Sequence, residues 1–219
     1  MSQKFAVILS GCGFLDGAEI RESVLTLLAL DSEGIQYEIF SIDEDQHHVI
    51  NHLKAEESNQ GRNVLEESAR IARGEIKKLS ELKTNDFNAL VFPGGYGVAK
   101  NLCEFAFKGS AGSVNQEVKD TITAFNSAEK PIGGICIAPA LLALVLGDKN
   151  INVTIGNHQE TAAEIEKTGA THTNKEVHEI CIDEKNKVVT TAAYMYDDAK
   201  LDKVYQGIHS CIKELSKMA

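Results

Sequence analysis

Five cysteines are scattered along the 219-residue chain, and one stands where a strand must turn into a helix. In Pro131-Ile132-Gly133-Gly134-Ile135-Cys136-Ile137-Ala138-Pro139 a short apolar run ends at Cys136, and Ala140-Leu141-Leu142-Ala143-Leu144 continues as a helix. Pro139 suits the first turn of that helix, where its missing N–H is no loss and its φ is already helical. Gly133 and Gly134 let the chain run close to its neighbours just before the corner. A cysteine at such a corner faces unpaired N–H groups and the positive end of a helix, which stabilise a thiolate and lower its pKa below about 8.5. That is the geometry of a nucleophile elbow. A buried structural cysteine in a core strand fits the same letters.

The elements that must position Cys136 follow from hydrophobic periodicity. Phe5 to Ser10 reads as a buried strand, followed by a glycine-rich corner at Gly11, Gly13 and Gly17. A helix is expected from Glu19 to Leu30, with Val24, Leu25, Leu27 and Leu28 on its inner face. Gln36 to Ile42 is a second strand, Arg62 to Arg73 a helix, and Ala89 to Phe92 a third strand ended by Pro93-Gly94-Gly95. The acidic stretch from Asp43 to Gly61 gives no clear element. Asn115 to Ala128 is helical, and Ile132 to Ile135 is the strand before the elbow. Val153 to Ile155, Ile180 to Asp183 and Lys187 to Thr191 supply further strands, and Asp198 to Leu215 is a closing amphipathic helix. Alternating strands and helices predict one α/β domain over residues 1–219, doubly wound on a mostly parallel sheet.

In such sheets, sites form beyond the carboxyl ends of the strands. The loop after the first strand, the Pro93-Gly94-Gly95 turn and the Cys136 corner all reach that edge. The N–H groups of Gly95 and Ile137 are natural donors to an oxyanion developing beside Cys136. Glu19 and Glu22 are the acids at hand. A carboxyl beside a thiolate has its pKa raised by like charge and burial, and so keeps a proton to donate. A solvated helix start, where acids are favoured, is the plainer reading of both.

Composition narrows the function classes. A formal charge of −10 and a pI near 5.2 argue against nucleic acid or an anionic membrane as a main partner. No apolar run approaches the ~20 residues of a membrane span. Five scattered cysteines without CxxC spacing fit reduced thiols rather than a disulfide framework or a zinc site. With a strand starting almost at once, this predicts a cytoplasmic protein without a targeting peptide. His48 and His52 would share a face if helical, but they lack an evident third ligand. A solvated face is therefore expected, and no metal.

The order Val7-Ile8-Leu9-Ser10 to Gly17-Ala18-Glu19-Ile20-Arg21-Glu22, then Phe92-Pro93-Gly94-Gly95, then Ile135-Cys136-Ile137-Ala138-Pro139 resembles the ThiJ/PfpI superfamily. Longer stretches are similar to its ElbB branch, named for enhancing lycopene biosynthesis and also called sigma cross-reacting proteins. They include Ser10-Gly11-Cys12-Gly13, Val49-Ile50-Asn51-His52-Leu53, Arg62-Asn63-Val64-Leu65, Ala99-Lys100-Asn101-Leu102 and Thr190-Thr191-Ala192-Ala193-Tyr194-Met195. The resemblance covers nearly the whole chain, including an insertion around residues 43–80. It implies a flavodoxin-like fold, a homodimer and a Cys136 nucleophile paired with Glu22. It further implies a cofactor-independent glyoxalase acting on small dicarbonyls, linked to isoprenoid metabolism. Glu19, His52, Lys100, Asn101 and Tyr194 become pocket candidates.

The departures from the superfamily matter as well. Its proteases carry a histidine directly after the nucleophile, where this chain has Ile137. His158-Gln159-Glu160 has the letters of the amidotransferase His-x-Glu but comes too soon after the elbow, and reads as a loop and helix start. Two alternatives stay open: an oxidant sensor built on a reactive Cys136, and an amidotransferase-like glutaminase.

Overall fold

The computed structural model describes residues 3–219. From β1 (Lys4–Ile8) a glycine-rich loop leads to α1 (Ile20–Ser32) and β2 (Gln36–Ser41). An insertion then carries the short hairpin β3 (Ile50–Asn51) and β4 (Glu56–Glu57), helix α2 (Val64–Ile71) and strand β5 (Lys77–Lys78). The middle of the chain holds β6 (Ala89–Phe92), α3 (Phe105–Lys108), α4 (Gln116–Ser127), β7 (Ile132–Ile135) and α5 (Ala138–Leu146). After these come β8 (Asn152–Val153), α6 (Gln159–Lys167), β9 (Thr171–His172), the hairpin β10 (Ile180–Asp183) and β11 (Val188–Thr191), and finally α7 (Leu201–Met218).

Seven strands pair in the order β10-β11-β7-β6-β1-β2-β5, and all pairs are parallel except β10 with β11. This is the doubly wound sheet that the alternation predicts, in the flavodoxin-like form that the resemblance implies. The chain moves outward from β1 to β2 and β5, then returns to β6 on the other side of β1. That reversal opens a crevice at the carboxyl ends of β1 and β6. Strands β6 and β7 are wholly buried, as parallel strands covered on both faces must be. One face packs Phe40, Phe92, Leu102, Ile122 and Leu141 under α4 and α5. The other packs Phe5, Val7, Leu30, Ile208 and Leu215 under α1 and α7. At Gly133 a Cβ would lie 2.6 Å from Leu215 Cδ1, so the glycine lets α7 settle onto β7.

Three expectations need correction. Helix α1 does not turn Val24 and Leu28 inward: they are 49% and 47% exposed, with Leu25 and Leu27 half-buried. It buries Glu22, Ser23, Thr26, Ala29 and Leu30 instead. The hydroxyls of Ser23 and Thr26 donate to the carbonyls of Glu19 and Glu22, so these polar groups enter the interior already satisfied. Residues 153–155 do not extend the central sheet; β8 pairs with β9 in a small sheet of its own. Finally, His48 and His52 share no helix, because that stretch forms the β3–β4 hairpin.

The rotated face of α1 has a measurable consequence. Leu30→Ala should cost about 2–5 kcal/mol, as a fully buried leucine does, while Leu28→Ala should cost about 0.5 kcal/mol or less. Urea unfolding of both variants checks this, and equal losses would contradict the observed face.

Candidate active site

Strand β7 ends at Ile135 and α5 begins at Ala138, so Cys136 and Ile137 make the entire corner. Cys136 has φ +61°, a left-handed conformation rarely adopted outside glycine. Its N–H donates to Thr191 O at 2.9 Å, which ties the strained corner to the end of β11. The residue is only 8% exposed. The N–H groups of Gly95 and Ile137 face its sulfur, so both expected donors are brought to the thiol.

Glu22 projects from the first turn of α1 and is fully buried. Its carboxyl meets the Cys136 thiol. Gly94 N–H donates to Oε2 and Tyr194 N–H to Oε1, each at 3.1 Å. A Cβ on Gly94 would lie 2.4 Å from Cys136 Cβ and 2.5 Å from Glu22 Oε2, so only glycine fits between the turn and the pair. Ala193, at φ +42°, is the second non-glycine residue in a left-handed conformation beside the pair, and it aims the Tyr194 N–H. Sequence reasoning missed the separate parts played by Gly94 and Ala193. The Pro93-Gly94-Gly95 turn was a signal for the first; nothing in the letters marks the second.

Burial is the chief influence on both groups. It raises the Glu22 carboxyl to about 8, with help from the charge of Glu19 and against the two N–H donors and the thiol. Burial also pushes the Cys136 thiol well up, and the Glu22 charge adds to this. The thiolate-favouring corner expected from the helix start is therefore corrected: the N–H groups of Gly95 and Ile137 pull the thiol down, but burial outweighs them. At neutral pH the pair is therefore mostly neutral, with the proton held on Glu22.

The other expected positions divide into two groups. Glu19 caps α1, accepting from Glu22 N at 2.6 Å, and burial raises its carboxyl. Tyr194 joins the pair through its backbone, and its hydroxyl accepts from Arg21 Nη1 at 3.2 Å. His52, Lys100 and Asn101 instead brace the loop between β1 and α1. His52 Nε2 accepts from Leu15 N, Lys100 Nζ donates to Leu15 O, and Asn101 Nδ2 donates to the carbonyls of Ser10 and Asp16. They support the site from behind without reaching the thiol–carboxyl pair. His158 caps α6, its Nδ1 accepting from Thr161 N, which is the helix start its sequence context predicts.

The raised carboxyl links stability to pH. Between about 4.5 and 8 the folded chain keeps a proton that the unfolded chain has lost, so stability falls as pH rises through that window. Relative to its parent, Glu22→Gln should therefore gain about 3 kcal/mol between pH 4.5 and pH 7, at about 1.4 kcal/mol per unit. The comparison across pH matters because Gln also sets its NH₂ against a backbone donor, a loss that does not vary with pH. Denaturant melts at several pH values check this; parallel profiles would contradict a raised carboxyl.

No family model matches the chain. It is 44% identical over 225 residues to the human glutamine amidotransferase-like class 1 domain-containing protein 3, mitochondrial, covering 98% of this chain and 83% of the relative. Identity is also 44% to a rat ES1 protein homolog, mitochondrial, over 98% of this chain and 84% of that one. A solved structure described as an isoprenoid biosynthesis protein with an amidotransferase-like domain, from Ehrlichia chaffeensis, superposes with a TM-score of 0.91. It is 37% identical and covers 99% of this chain and 100% of its own. These relatives overturn the expected cytoplasmic address, since the curated ones are named mitochondrial. Unpaired cysteines report a reducing compartment, and that property does not single out the cytosol. Kinship, with the fold to match, makes this chain a member of the class 1 glutamine amidotransferase-like family, and a ThiJ/PfpI domain protein from Brachyspira murdochii shares its fold.

Proposed function

We propose that the protein is a cofactor-independent glyoxalase, converting glyoxal or methylglyoxal to glycolate or lactate on Cys136. The observation that carries this reading is the water-excluded contact between the Cys136 thiol and a carboxyl poised near neutral pH. A base with a pKa near the working pH is suited to moving protons in both directions. With Cys136 only 8% exposed, the site favours a small substrate.

Ionised Glu22 takes the thiol proton as sulfur attacks the aldehyde carbon, and the C=O electrons move to oxygen. The Gly95 and Ile137 N–H groups, which face the sulfur in the free protein, hold that oxyanion until Glu22 protonates it. Glu22 then removes the hydrogen from the hemithioacetal carbon, the electrons passing into an enediolate as the neighbouring C=O opens; the hydroxyl proton of the hemithioacetal moves to that second oxygen, and Glu22 returns its proton to the neighbouring carbon, leaving a 2-hydroxy thioester. Water cleaves the thioester, releasing the 2-hydroxy acid and the thiol. Glyoxal plus one water gives glycolic acid, so the sequence balances without metal, glutathione or an electron acceptor. A tie to isoprenoid metabolism is part of the same proposal, supported by the description of the Ehrlichia relative.

The two alternatives fare less well. An oxidant sensor needs a stable thiolate, and burial works against one here. A glutaminase needs a histidine on the cysteine, and His158 is engaged at the start of α6.

Turnover and intact mass, followed together after glyoxal exposure, test the scheme. In Glu22→Gln the mass adduct should form more slowly than in the parent, and glycolate formation should fall by about 10²-fold or more, the scale of a lost general acid–base. Glu19→Gln should lose far less, because that carboxylate caps a helix. The parent rate should climb as pH rises and level off above about 8, where Glu22 has ionised. Normal turnover in Glu22→Gln would sink the mechanism.

A further inference from the structure

Arg21 directly precedes Glu22 on the first turn of α1. Its Nη1 donates to the Tyr194 hydroxyl, and its guanidinium carbon sits 5.7 Å from the centre of the Tyr194 ring. Tyr194 is also the residue whose N–H holds Glu22, so its hydroxyl end meets the cation while its backbone end meets the carboxyl. The guanidinium is thereby held in place while using one of its five N–H donors. Among the described residues no ion pair engages Arg21, whereas Arg62 and Arg70 both bind Glu67. Glu19, a nearby acid, is committed to the N–H of Glu22. The chain as a whole carries a net charge of −10, so an arginine held by a tyrosine hydroxyl rather than by an acid stands out at this position.

We propose that Arg21 is the anion-binding residue of the Cys136 site, and that the carbonyl compound taken there carries a carboxylate near its reactive carbonyl. A guanidinium presents a planar fork that matches a carboxylate in two parallel hydrogen bonds. This rests on Cys136 being the nucleophile of the proposed function and adds the substrate class: an anionic carbonyl compound, turned over in preference to neutral glyoxal.

Iodoacetate and iodoacetamide test the charge directly, since they alkylate thiols by the same reaction and differ by one negative charge. Their rate constants at Cys136 are read by peptide mass spectrometry in the parent, Arg21→Met and Arg21→Lys. The iodoacetate-to-iodoacetamide ratio should fall about 5-fold or more in Arg21→Met and be largely kept in Arg21→Lys. In the parent it should also fall when ionic strength rises from about 0.01 M to 1 M, where the screening length shrinks from about 30 Å to 3 Å. An unchanged ratio in Arg21→Met overturns the proposal, as does an equal fall in Arg21→Lys, which would trace the effect to packing. Alkylation requires no dicarbonyl turnover. Absent glyoxal conversion with a clear charge effect therefore strikes only the glyoxalase reading, and conversion without a charge effect strikes only Arg21.

Discussion

A carboxyl wholly removed from water faces a thiol almost as deeply buried, and the contact between Glu22 and Cys136 sets how the first helix lies on the sheet. Leucines and valines would ordinarily decide which stripe of α1 turns inward. Here the stripe that contains Glu22 goes in, taking Ser23 and Thr26 with it, and Val24 and Leu28 are left half in water. That orientation gives up apolar burial. It is tolerable because both hydroxyls bond within the helix and two backbone N–H groups receive the carboxyl.

The backbone around the pair shows the same priority. Cys136 and Ala193 both take left-handed conformations that disfavour a side chain, and both lie beside Glu22. Gly94 lies against Cys136 and Glu22 with no room for a methyl group. Strain at two residues and a glycine at a third are what bring four N–H groups, those of Gly94, Gly95, Ile137 and Tyr194, onto one carboxyl and one sulfur. Burial then raises both acids, so the site mostly keeps its protons near neutral pH.

Much of this was legible in the letters. Ala89–Phe92 and Ile132–Ile135 are strands with the expected bounds, because fully buried parallel strands are unbroken apolar runs closed by Pro-Gly-Gly or by the elbow. Cys136, Gly95 and Ile137 meet at the sheet edge where their segments were expected, while the choice of Glu22 over Glu19 came from the resemblance and not from the letters alone. The face of α1 was not legible, since counting apolar residues cannot anticipate a buried acid outranking them. Nor was the direction of the thiol shift: a helix start is visible in sequence, whereas depth of burial is a property of the folded whole. Tyr194 illustrates a third limit, because its role at the pair is carried by a backbone N–H that any residue possesses. The β3–β4 hairpin escaped notice because two-residue strands leave no periodicity to read.

Burial should keep the proton on Glu22 at neutral pH, beside Cys136. Carbon-13 NMR of the intact protein, with glutamate labelled at its side-chain carboxyl carbon and the Glu22 resonance assigned through Glu22→Gln, measures this directly. The account predicts a single titration of that resonance near pH 8. A midpoint near 4.5, the value of an unperturbed carboxyl, would contradict it.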